Sequence, residues 1–223
     1  MTFQVNVWFL LSIPLLTSPT QTQSKWTLMT NQTNLLPYDG VCLGSAELLD
    51  HAFNPKDYMI NQAEGYVFFE IVEPEELSYT YKMNQAAFST PWNNTFHGIP
   101  LVPSDPACGC GSYFNAEDVE GHVALVDRGE CSFVSKALKA QEAGAVGIVI
   151  TDQNENNDEL YIIMQDDTTE RKVQIPAGFL LGKNGHIIKN TLHRLRRREA
   201  IINIPINITN VQIHKQKQPP WIV

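Results

Sequence analysis

Between Val123 and Thr151 the sequence reads VALVDRGECSFVSKALKAQEAGAVGIVIT, and no other stretch restricts the fold so tightly. Val123–Asp127 is a run of apolar, β-branched residues and predicts a strand. Arg128 and Gly129 supply a tight turn. Residues 132–143 predict a helix: Phe133, Ala137, Ala140 and Gly144 recur at helical spacing, and Ser132 is placed to cap the first turn. Gly144 stands where a chain leaves a helix in a left-handed conformation. Residues 146–151 form the second strand. Two strands joined through one helix form a parallel crossover unit, right-handed by the general rule. Both strands are apolar nearly throughout, so both faces of this part of the sheet need cover.

The flanking chain reads less evenly. Residues 64–72 alternate and carry aromatics on both sides, as in a strand buried on one face and half-covered on the other. Residues 78–83 are its expected neighbour. Residues 89–110 hold Pro91, Pro100, Pro103 and Pro106 and read as loop. Residues 152–159 make a polar turn, 160–164 a short apolar piece and 165–172 a charged loop. Residues 175–181 are a strand. Asn184 is placed to cap a helix running to about Arg197, with Ile187, Ile188, Thr191, Leu192 and Leu195 as its buried stripe. In residues 200–209, four isoleucines alternate with Asn203, Pro205, Asn207 and Thr209. Pro205 lacks a backbone donor, which puts this strand at an edge or beside a bulge.

Residues 1–24 carry no charged side chain and contain a short apolar segment, VNVWFLLSIPLL, followed by small and polar residues. That segment is too short to span a membrane, for which about 20 residues are needed. It reads as a secretory signal peptide, with a buried strand or helix as the alternative. No later stretch reaches spanning length, so the expected product is secreted or luminal. Four cysteines fit such a domain with one or two bridges. A net charge of −8 argues against nucleic-acid binding, which demands a basic face. Residues 25–63 show no sustained period beyond a short helix at 46–53.

The run Gly121-His-Val-Ala-Leu-Val-Asp-Arg-Gly-Glu-Cys-Ser-Phe133, then Lys136, then Gly144-Ala-Val-Gly147, resembles the core of a protease-associated (PA) domain. Ile175-Pro-Ala-Gly-Phe-Leu-Leu181 resembles that domain's second signature. The resemblance covers residues 64–223 and leaves 25–63 unmatched. It implies a mixed α/β fold: a single PA domain whose β-rich core, a small sheet or barrel, holds the parallel crossover unit, with two flanking amphipathic helices. It also pairs a cysteine just before the first central strand with one just after the Asp-Arg-Gly turn, Cys110 with Cys131. Cys42 and Cys108 are then a candidate second pair. Cys108-Gly-Cys110 is alternatively the start of a metal site, but no His–Cys cluster of zinc spacing accompanies it.

Asp127, Arg128 and Gly129 lie at the exit of a parallel strand, where ligands of open α/β sheets gather. They are a candidate ligand-facing turn; an ordinary charged turn is the competing reading. Lys136 reads as a solvated or snorkelling helix residue. Residues 152–159 resemble a calcium loop in their alternating oxygens. Asn157 replaces the required glycine, however, and Ile163 the required glutamate. Asn31, Asn93 and Asn207 each begin an Asn-x-Thr sequon, a glycosylation acceptor in a secreted chain. Arg194–Arg197 fits both a convertase site and cations at a helix C-terminus. There is no Gly-x-Ser-x-Gly, His-Glu-x-x-His or phosphate loop. The expectation is a secreted, N-glycosylated, non-catalytic interaction module with no cofactor or metal. Its partner would be an unidentified protein or peptide. A peptide-binding regulator of a protease and a metal-dependent hydrolase are the two alternatives.

Overall fold

The computed structural model describes residues 65–212 and 215–222. The signal-peptide segment, the unmatched segment 25–63 with its short helix, Asn31 and Cys42 lie outside them. Seven strands appear in chain order: β1 (Tyr66–Glu73), β2 (Thr80–Gln85), β3 (Phe96–Pro103), β4 (Val123–Asp127), β5 (Gly147–Thr151), β6 (Ala177–Leu180) and β7 (Ala200–Ile204). Three α-helices accompany them: α1 (Ala116–Val119), α2 (Phe133–Glu142) and α3 (Gly182–Arg194).

The strands close into a barrel in the order β1-β2-β6-β5-β4-β3-β7. β3, β4, β5 and β6 are parallel to one another, while β1, β2 and β7 complete the circle antiparallel. β4 and β5 pair from Val123↔Gly147 to Asp127↔Thr151, with α2 between them in sequence.

Alternation along the strands divides the core in two. In β1, Val67, Phe69 and Ile71 are buried while Tyr66 and Glu70 are not, so the buried side is the barrel interior. Leu101, Val123, Leu125, Val149, Leu180 and Ile202 join that interior, and Ile188 and Leu192 of α3 pack against it. The other side of β4 and β5, with Ala124, Val126, Ile148 and Ile150, lies under Val134, Ala137 and Ala140 of α2. β4, β5 and β6 are therefore covered on both faces, as their apolar sequences require, while β3 is exposed at His97 and Gly98.

Several expectations are corrected. The proline-rich segment 89–110 contains β3, which pairs with both β4 and β7. Pro100 pairs with Ile201 and Pro103 with Leu125, and the ladder to β7 is irregular between Phe96 and Ile99. Gly98 there adopts φ +66° and donates its N–H to Asn203 Oδ1 at 2.8 Å. β7 ends at Ile204 rather than Thr209, and it lies between β1 and β3 rather than at an edge, with the ladder irregular on both sides as the bulge alternative requires. Pro205 falls just past the ladder, where its missing donor costs nothing. Asn184 does not cap α3: the helix starts at Gly182, and Asn184 is buried inside it, accepting from Trp221 Nε1 at 2.9 Å. The helix ends at Arg194, short of Arg197. On α2 the buried stripe runs through Val134 rather than Phe133.

Candidate functional site

Asp127, Thr151 and Leu180 end three adjacent parallel strands at one level, through the pairings Asp127↔Thr151 and Thr151↔Leu180. The first turn of α3 lies directly on these exits. A methyl group at Gly182 would sit 2.0 Å from the Asn154 carbonyl, and one at Gly185 would sit 1.9 Å from Thr151 Oγ1. Only glycine permits so close an approach. Asp127 accepts a charged hydrogen bond from Lys189 of α3. Arg128 donates its backbone N–H to the Thr151 carbonyl at 2.8 Å and its guanidinium to Asp152 Oδ1 at 3.3 Å. Asp152 Oδ2 also accepts from Asn157 Nδ2 at 2.8 Å. Gly129 turns with φ +111° beneath Gln153.

The charges of this turn are thus engaged with α3 and with the 152–160 loop. Asp152, the first oxygen of the calcium-like pattern, is buried and already spent on Arg128 and Asn157. The Arg128 side chain is 40% exposed and is the part of the turn that faces outward.

Beside the exit of β4 stands a second cluster. Cys110 and Cys131 are joined by a disulfide, with their Cα atoms 5.9 Å apart. Among the described residues Cys108 is a buried free thiol. Lys136, expected on the surface, is completely buried: its Nζ donates to the Cys108 carbonyl at 2.5 Å and lies 3.3 Å from Cys110 Sγ. An ammonium is tolerated there because it is hydrogen-bonded. Tyr113 closes the cluster. Its burial pushes the phenol well above the ordinary tyrosine range, and the nearby Cys108 thiol adds to this. Its hydroxyl is buried without a hydrogen-bond partner.

Cys108, Cys110 and a Glu130 carboxylate oxygen lie within 4.8 Å of one another. With Cys110 spent in the disulfide, two potential ligands remain, short of the three or four of a zinc site. The residues do not fit a metal.

Ser132 caps α2 by accepting the Ser135 N–H at 3.1 Å, and it donates to Asp167 Oδ2 at 2.5 Å. Asp167 also accepts from Thr169 and pairs with Arg171. The Ser132 and Thr169 hydroxyls, ahead of Arg171, hold its carboxyl at about 2.

Asn93 and Asn207 are both exposed. A cleft of about 360 Å³ opens beside Asn207, lined by Glu70, Tyr79, Ile206 and Lys217 among others. Past the end of α3, Arg197 reaches Glu73 at 3.0 Å and Arg198 reaches Asp118 at 3.3 Å. Among the described residues no helix is long and apolar enough to cross a membrane. Sequence reasoning missed Tyr113 and the burial of Lys136. The available signal was the position of Lys136 between Val134 and Ala137, on the small, apolar side of its helix.

Comparison with known proteins adds relatives to this geometry. The PA domain family model matches residues 98–188, from within β3 to within α3. The chain is 48% identical over 161 residues to the PRADC1-like protein of Drosophila melanogaster, covering 71% of this chain and 82% of that one. It is 31% identical over 123 residues to ER degradation-enhancing alpha-mannosidase-like protein 3 of Homo sapiens. That match covers 53% of this chain and 13% of the mannosidase-like protein. A solved zinc aminopeptidase from Bacillus subtilis superposes with a TM-score of 0.43 at 17% identity, over 62% of this chain and 29% of that chain.

Proposed function

The chain belongs to the PA domain family, and from that membership we propose that it is a non-catalytic protein-interaction module, secreted and N-glycosylated. One observation carries the reading. The same unit makes up most of one relative, at 82% of its length, and a small part of another, at 13%. A unit that stands nearly alone in one protein and rides on a much larger one in another behaves as a portable part. The chemistry of the larger protein is not thereby its own, since function resides in sites rather than folds.

In this reading β4, α2 and β5 form a right-handed crossover, and α2 and α3 are the flanking pair. Residues 64–223 are the module. Residues 1–24 are removed as a signal peptide, and glycans sit on Asn207 and Asn93, whose side chains face solvent. The face offered to a partner is the outer side of the turn at Arg128 and Gly129. Asp127 serves the fold through Lys189.

The test is affinity capture with the glycosylated full chain as bait, against the same chain carrying Arg128→Glu. A protein held by the native chain and lost by the variant supports binding at the strand-end turn. A protein held equally by both moves the surface elsewhere. Failure to retain any protein, with folded bait, sinks the interaction reading. Peptide mapping before and after glycosidase treatment should show conversion of Asn207 and Asn93 to aspartate. A saturable effect on a purified protease would favour the regulator alternative, and stoichiometric zinc in the purified chain would revive the hydrolase.

A further inference from the structure

We propose that Cys108, Cys110 and Cys131 form a thiol–disulfide exchange site. In it the buried Cys108 thiol displaces Cys131 from the disulfide and leaves Cys131 free to react with small or peptide disulfides. The inference is independent of any interaction partner.

Three observations meet at this cluster. First, the Cys108 and Cys110 sulfurs lie within 4.8 Å of each other, across a single residue. That residue is Gly109, with φ +57°, and a methyl group on it would sit 2.7 Å from Val126 Cγ1 and 2.9 Å from Tyr113 Oη. The Cys-Gly-Cys turn is therefore held in a conformation only glycine supplies. Second, the Lys136 ammonium, fully buried, lies 3.3 Å from Cys110 Sγ. A cation beside the sulfur under attack stabilises the negative charge that exchange spreads over the three sulfurs. The Tyr113 hydroxyl, 93% buried by its 7% exposure and without a partner, is directed at the same turn as a ready donor. Third, Cys131 immediately precedes Ser132, the N-cap of the ten-residue helix α2. A thiolate released there faces a helix N-terminus, which stabilises negative charge and makes Cys131 a good leaving group.

The step balances without an outside oxidant. The Cys108 thiolate attacks Cys110 Sγ. The Cys108–Cys110 bond forms, and the Cys110–Cys131 bond breaks with its electron pair passing to Cys131 Sγ. The proton given up by Cys108 is taken up by Cys131. Oxidation state is unchanged. Cys108 is buried, whereas Cys131 is only partly so, and the exchange therefore moves a thiol from the interior towards the surface. In the next step Cys131 gives up that proton and its thiolate attacks an external disulfide, forming a mixed disulfide and releasing one half of that reagent, which takes the proton.

The experiment uses the full chain with Cys42→Ser, which removes the fourth cysteine, and oxidised glutathione as the probe. Adducts and bridges are mapped by mass spectrometry after alkylation of the folded protein. The expected product carries glutathione on Cys131 with Cys108 bonded to Cys110. Adding Cys108→Ala should lower that adduct at least tenfold, and Lys136→Met should slow its formation about tenfold. Should Lys136→Met fail to fold, the Cys108→Ala comparison decides. An adduct confined to Cys108, no adduct at all, or an adduct on Cys131 that survives Cys108→Ala would each overturn the proposal. So would a Cys42–Cys108 bridge in the unsubstituted chain.

Discussion

Asp167 shows how one side chain ties a loop to a helix. Its carboxylate accepts from Ser132, the cap of α2, and from Thr169, and pairs with Arg171. Held at about 2 in the folded chain, against about 3.9 for a free aspartate, it favours folding wherever the unfolded chain is also ionised. The sign follows: this contribution is complete above pH of about 4 and disappears as pH falls towards 2. Asp167→Asn should flatten that part of the acid limb, read as urea midpoints for both proteins between pH 5 and pH 2. Equal slopes would show that the carboxylate is not held in solution. Only the Ser132 cap of this network was legible in the sequence, where residues 165–172 read only as charged loop. Lys136 and Asn184 misled for a related reason. Polar side chains advertise solvent, and only three-dimensional neighbours, the Cys108 carbonyl and Trp221, show why each can be buried.

Elements declared themselves where periodicity was long and composition unmixed. The strands and helix from Val123 to Thr151 were legible almost to the residue, because apolar runs, a capping serine and Gly144 all agreed. β3 was not, since its prolines signal loop and its compensation is distant: the Asn203 side chain accepts the Gly98 N–H from across the ladder. The seating of α3 was equally hidden, for it depends on what faces Gly182 and Gly185. Gly185→Ala should destabilise by about 3 kcal/mol through overpacking against Thr151. Gly111→Ala, with nothing within 4 Å, should change stability by less than about 1 kcal/mol. Chemical denaturation of both variants checks the pair, and equal midpoints would mean that α3 does not rest on the strand exits.

At the scale of the molecule, the Cys110–Cys131 bridge ties chain positions 21 residues apart. Replacing both cysteines with serine should cost about 3 kcal/mol in the chain-entropy account, measured against the Cys108→Ala protein so that no exchange intervenes. A loss near zero would mean the loop is already fixed by other contacts, such as the Asp127 N–H bond to the Ala107 carbonyl at 2.7 Å. The barrel was implied by the family resemblance, as one of two forms, but not by the residue patterns, because closure is set by β1 and β7 meeting, a pairing between the two ends of the described chain. Closure also decides how this molecule can be read by another. Every described strand already has a neighbour on each side, so an incoming peptide finds no open backbone ladder to extend among the described residues and cannot dock there by adding a strand. Recognition is left to side chains on the turns and helices. Those positions can be changed without disturbing the cylinder beneath them.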